Sequence, residues 1–267
     1  MVKTPATIET ATKLWLEEDV WSGPSEMNVP AGSCVLGNLL KYAEYDTLER
    51  VLKVTGRNSD EVAKLAVGRL KRAVAASPLI GQHLTIYVDF ICSLSRSSKH
   101  AFRNALLSAN VIWNITTALV KISTVINATR DLSFLDAMVS GFGYLYNCLE
   151  SSDGFTWVSQ AIGAGLLQAF VDCSPQFSKL SPKDLRMVLD IFEKILPRYL
   201  VYRSIVEALD GPMRKLDDGP SKNRVTKSAA KDVWHAFHKL ASERIMVVWH
   251  IVDTMKGKHV TCDNVKV

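Results

Sequence analysis

The feature that most narrows the fold of this chain is the spacing of its apolar residues. They recur at three and four along most of the sequence, while alternating Val/Ile/Thr runs closed by Asn-Gly or Asp-Gly turns are absent. A period near 3.6 puts such residues on one stripe of a helix, so the expected fold class is all-α. In the first helix Ile8, Ala11, Leu14, Trp15 and Val20 share a stripe, Glu17, Glu18 and Asp19 sit at its far end, and Gly23-Pro24 stops it. The same reading expects helices over 33–42, 46–54, 59–75, 82–95, 99–107, 111–127, 132–149, 155–171, 183–209 and 228–255. Roughly ten helices with short connectors and no sheet leave a bundle or a solenoid.

Two junctions favour the solenoid. The stretch Phe102 to Asn110, followed by Val111-Ile-Trp-Asn-Ile, has the form of Phe155 to Gly165 followed by Leu166-Leu-Gln-Ala-Phe. Each reads as a short helix, a break at Asn110 or at Gly163 and Gly165, and a longer apolar helix. Asn and Gly are the residues that take a left-handed backbone at least cost. These junctions resemble the turn between successive helices of an armadillo repeat, at a spacing longer than the regular repeat of about 40 to 47 residues. The resemblance implies an armadillo/HEAT-like helical-repeat solenoid with a long C-terminal helix, whose longer helices line a groove for partner peptides. Trp15, Trp113, Trp157, Leu166 and Phe170 are expected to be buried, and a left-handed residue is expected at Gly163 or Gly165.

Residues 1–210 make up the expected helical region. Asp210-Gly211-Pro212 and Asp218-Gly219-Pro220 read as consecutive helix stops, so 211–227 is expected to be a flexible basic connector carrying Arg214, Lys215, Lys222, Arg224 and Lys227. No aromatic residue interleaves these cations to stack bases, so the reading is a solvated linker and not a nucleic-acid site. Residues 228–256 then form one long amphipathic helix, with Trp234, Phe237, Ala241, Ile245, Val248, Val252 and Met255 on a single stripe.

Composition narrows the function classes. With 267 residues, 48% of them hydrophobic, the chain can bury a substantial core, and its net charge of +5 is a mild, interspersed surplus of 32 basic over 27 acidic residues. Five cysteines without a CxxC pair, and an N-terminus without an apolar signal run, point to reduced thiols and an intracellular location, in the cytoplasm or nucleus. The longest uncharged stretch, Phe155 to Val171, falls short of a span of roughly 20 residues, so no membrane crossing is expected.

No GxSxG elbow, P-loop, HExxH, GxGxxG after a strand or kinase motif set occurs, and neither an enzyme nor a small-molecule substrate site is expected. His235 and His238 have the spacing to share a metal but sit beside Trp234 and Phe237, so packing is the expected role. His83 and His250 read as satisfied histidines at the core edge, and His100, after Ser97-Ser98-Lys99, as exposed.

Three stretches, Leu14-Trp-Leu-Glu-Glu-Asp19, Leu196-Pro-Arg-Tyr-Leu-Val-Tyr-Arg-Ser-Ile-Val-Glu-Ala-Leu209 and Cys262-Asp-Asn264, resemble in their order the helical N-terminal region of fungal, basidiomycete-type MYND zinc-finger proteins. The resemblance covers nearly the whole chain and makes Cys262 the match to the first zinc ligand, in a segment 257–267 that reads as the truncated start of a finger. Zinc belongs to the full-length relatives, and no cofactor is expected in this chain, because Cys262 and His259 do not close a tetrahedral site. The implied function is a non-enzymatic protein-interaction scaffold with a protein or peptide partner. The alternatives are a zinc-dependent transcriptional regulator whose finger is missing here, and an enzyme with an unrecognised site.

Overall fold

A computed structural model describes residues 4–21, 29–42, 44–151, 154–219 and 222–254. They are all-α, and no strand occurs among them. The first helices are α1 (Pro5–Leu16), α2 (Glu18–Trp21), α3 (Ala31–Leu40), α4 (Tyr45–Val54), α5 (Ser59–Ala75), α6 (Gly81–Leu94) and α7 (Ala101–Ser108). After them come α8 (Val111–Val125), α9 (Ser133–Ser151), α10 (Phe155–Gly163), α11 (Leu166–Cys173) and α12 (Pro182–Asp190). The chain continues through α13 (Leu196–Tyr199), α14 (Arg203–Asp218), α15 (Lys222–Val225) and α16 (Lys231–Thr254). Several starts carry their own signal. Thr4, Asn58 and Ser181 accept backbone N–H groups of Thr7, Glu61 and Asp184, capping α1, α5 and α12.

The chain divides into two compact units, Met1–Ala118 with Asp131–Gly141, and Leu119–Arg130 with Phe142–Val267. In the first unit α1 packs on α3 and α4, α3 on α6, and α5 on α6 and α7. Its core holds Trp15, Leu36, Leu40, Leu70, Phe90 and Phe102, all fully buried. In the second, α14 packs on α10 and α16, and the core holds a cluster of Phe142, Phe170, Phe177 and Phe192.

Both expected breaks are present. Asn110 takes φ 59 between α7 and α8, which bend by 64° there, and Gly165 takes φ 100 and ψ 29 between α10 and α11. The stretch 155–171, first read as one helix, is therefore two. A Cβ on Gly165 would stand 3.0 Å from the Val120 Cγ2 methyl. Gly165→Val is accordingly expected to destabilise the protein by about 1 to 3 kcal/mol, the sum of a left-handed β-branched residue and local overpacking. Thermal unfolding checks this against Gly68→Ala, at a helical glycine with open space around it, which should be neutral or slightly stabilising. Equal melting temperatures for the valine variant and the wild type would remove the requirement for a left-handed residue.

Three further expectations are corrected. The helix expected over 183–209 is interrupted: Ile191–Ile195 form a π turn, with the Leu196 N–H reaching back to Ile191 O, immediately before Pro197. The widened turn lets the chain clear the proline ring, which has no N–H to give and clashes with a normal helical carbonyl.

The helix stop at Asp210-Gly211-Pro212 does not operate, because α14 runs through both residues to Asp218, and 222–225 is again helical. A proline inside a helix costs about 3 kcal/mol. Ile205, Val206, Leu209, Met213 and Leu216 are all buried along one face of α14, and at about 1.5 to 3 kcal/mol per buried side chain they outweigh it. Residues 211–227 are thus not a flexible linker over their helical stretches.

Burial of the marker residues holds for Trp15, Leu166 and Phe170, but Trp113 is 47% exposed and Trp157 only half-buried. The buried stripe of α8 is Val111, Ile112, Ile115, Ala118, Leu119 and Ile122, and Trp113 lies off it.

Candidate functional site

The last helix is where apolar side chains outnumber the places to bury them. In its first half Trp234, Phe237 and Ala241 are buried, with Phe192 5.2 Å from Phe237 and 6.0 Å from Trp234 between ring centroids. The expected stripe then loses its cover: Ile245 and Val248 are half-buried, while the side chains of Val252 and Met255 lie outside the described residues. Met246, Val247 and Trp249 are exposed at 64%, 51% and 48%.

Trp249 is nevertheless held in place. Its indole N–H donates to Asp210 Oδ2 at 3.2 Å, and the Arg214 guanidinium lies 5.9 Å over the ring, itself paired with Asp210 through two bonds of 2.8 and 2.5 Å. Trp249 and Met246, one turn apart on α16, set a fixed aromatic ring beside an exposed thioether side chain, with the Arg214 and Asp210 pair on the α14 side of the ring, while Val247 faces another side of the helix. These residues were missed from sequence, although a signal exists: Ile245-Met-Val-Val-Trp-His-Ile-Val252 is apolar on every side except at His250, and a helix of that kind calls for cover all round.

The histidines fall in different places. His235 is exposed, and His238 sits with Nε2 2.9 and 3.1 Å from the two Asp217 carboxylate oxygens, so α14 supplies a carboxylate that the helix-by-helix reading did not foresee. His250 is exposed, and His83 is half-buried with its pKa lowered by burial against the opposing pull of Glu18. Cys262 and His259 lie outside the described residues. Among the described residues no group of three or more His, Cys, Asp or Glu side chains is placed to hold a metal ion. Burial pushes the Cys173 thiol pKa up, which leaves it a packed sulfur and not a nucleophile.

Two buried polar groups escaped the sequence reading. Glu18, expected at the far end of the first helix, is 6% exposed; it accepts the backbone N–H of Ser33 and the Ser33 hydroxyl at 2.9 Å, and lies 3.7 Å from Arg69. Arg69 is 1% exposed, donates to Asp19 at 3.2 Å and stacks 5.0 Å over Trp15. Tyr87 faces this cluster, and burial first, then the Glu18 carboxylate, pushes its hydroxyl pKa up to about 12.

His100, expected exposed, is fully enclosed: its Nδ1 accepts the Phe102 N–H at 3.2 Å, capping α7, and its Nε2 lies 3.3 Å from Glu49. Burial lowers its pKa, and Glu49 opposes that shift.

No single described helix is long and apolar enough to cross a membrane. Comparison with protein-family models, with curated proteins and with solved structures finds no match to this chain.

Proposed function

We propose that the chain is a non-enzymatic protein-interaction scaffold of armadillo-like helical packing, binding an apolar peptide or amphipathic helix against α16. The observation that carries this reading is the exposed pair of Met246 and Trp249, one helical turn apart, with the ring fixed by Asp210 and Arg214. Tryptophan is enriched among binding hot spots, and a ring whose orientation is already fixed loses less rotamer freedom on binding. The left-handed turns at Asn110 and Gly165 support repeat-like packing, and the resemblance to the helical region of MYND-type proteins fits a partner-holding role.

Selection of a displayed peptide library on the purified chain tests this. Peptides with apolar anchors at helical spacing should be enriched, and Trp249→Ala should weaken them about tenfold or more without changing the helical signal. Leu132→Ala, at a residue 69% exposed elsewhere, should leave binding unchanged. A library that yields no binder, or binders indifferent to Trp249→Ala, would sink the proposal.

A further inference from the structure

We propose that His100 is a pH-operated latch that fastens the start of α7 to α4 while the ring is neutral and lets go when it is protonated. Nδ1 is committed to a hydrogen bond, and Nε2 lies within ion-pair reach of a carboxylate. A neutral imidazole has one acceptor and one N–H. Since Nδ1 takes the Phe102 N–H at 3.2 Å, the ring proton sits on Nε2, 3.3 Å from Glu49 Oε1 on α4. Tyr45 of α4 and Phe102 of α7 flank the ring at 5.1 and 4.6 Å between centroids, and no part of the side chain reaches water.

A second proton has no place in this arrangement. On Nδ1 it would point at the Phe102 N–H, donor against donor, and abolish the cap of α7. The groups facing the ring are the Tyr45 phenol and the Glu49 carboxyl group, whose side chain is 35% exposed, so water screens its interaction with the ring. Lys99 and Arg103 add positive charge on the histidine's own segment. A charged ring is therefore better served by water, which requires the segment before α7 to swing off α4, while α7 keeps its packing on α5.

The sign follows from linkage. Burial holds the closed-state pKa below the ordinary histidine value, so the open state binds the proton more tightly. The latch is complete above a pH of about 6.5 and weakens as pH falls below it, toward the closed-state pKa.

Amide hydrogen exchange on the full chain reads the latch directly, with each rate corrected for its intrinsic pH dependence. Between pH values of about 7.5 and 5, protection of the Phe102 and Arg103 amides should fall by up to about thirtyfold, while Leu106 changes less. His100→Asn keeps a capping side chain that does not titrate, and its protection should stay level. A level wild type, or an asparagine variant that loses as much protection as the wild type, overturns the proposal. If that variant does not fold, NMR titration of the wild type decides: one shared midpoint for the His100 ring and the Phe102 amide, below the ordinary histidine value, supports the latch. Separate midpoints refute it.

Discussion

Arg69→Met should lower the stability of the first unit by about 3 to 5 kcal/mol, the cost of leaving a buried charge without its partner. The guanidinium is almost wholly enclosed, between Glu18 at 3.7 Å and Asp19 at 3.2 Å, with Trp15 beneath it. Methionine preserves most of the packing volume, so the loss isolates the charge. Glu18 would then keep the Ser33 bonds but lose the buried guanidinium that balances its charge. Arg69→Met combined with Glu18→Gln should recover a large part of the loss, because the glutamine amide can still accept from Ser33 without carrying charge. Urea unfolding of the wild type, both single variants and the double variant completes the cycle. Additive losses would show that Glu18 and Arg69 do not depend on each other. By contrast Arg72→Met, at a side chain 62% exposed that also pairs with Asp19, should cost less than about 1 kcal/mol.

The second large effect is expected in the other unit, where Phe170→Ala should cost about 3 to 5 kcal/mol. Phe170 is fully buried and stacks on Phe192 at 3.8 Å, with Phe177 at 5.2 Å and Phe142 at 6.5 Å edge-on to it. Each such pair adds about 0.5 to 1.5 kcal/mol beyond simple burial, which places this site at the upper end of the range. Surrounding rings are rigid and fill the hole poorly, so the cavity term stays large. Calorimetry or denaturant titration gives the number. A loss under about 1 kcal/mol would mean that the aromatic cluster collapses around the vacancy. Trp113→Ala, at a larger but half-exposed side chain, is expected to cost a small fraction of this.

Local signals carried the helices and failed on the polar interior. Ser59–Ala75 was legible to the residue, because Asn58 caps it and its apolar stripe is regular. Asn110 and Gly165 were legible because few residues accept a positive φ. Trp113 was placed on the wrong side of α8, whose residues are apolar on so many sides that sequence alone leaves the phase of the helix open. Pro212 misled because a local stop is weighed against a buried face that only the neighbouring helices define. His100 reads as exposed, and the burial of Glu18 goes unsignalled, since their partners, Glu49, Ser33 and Arg69, are remote in sequence and nothing near either residue announces them. For the candidate site, the apolar run 245–252 was visible, but its exposure depends on how far α14 reaches along α16.

Helix α3 is preceded at its N-cap by Pro30, which offers no side-chain cap, and the acceptor for the Ser33 N–H comes instead from Glu18 in α2. Gly32 lets the backbones meet closely, since a Cβ there would lie 2.8 Å from Trp15 Cα. The order of assembly follows from this. A helix whose first turn is completed by a remote carboxylate gains that bond only after a loop has closed, so α3 should nucleate late and reversibly by itself. A peptide covering only residues 29–42 would stay largely coil, whereas α5, with its own cap, holds the means to start first. The N-terminal helices therefore behave as one cooperative folding element, and trimming α1 and α2 would unfold α3 along with them.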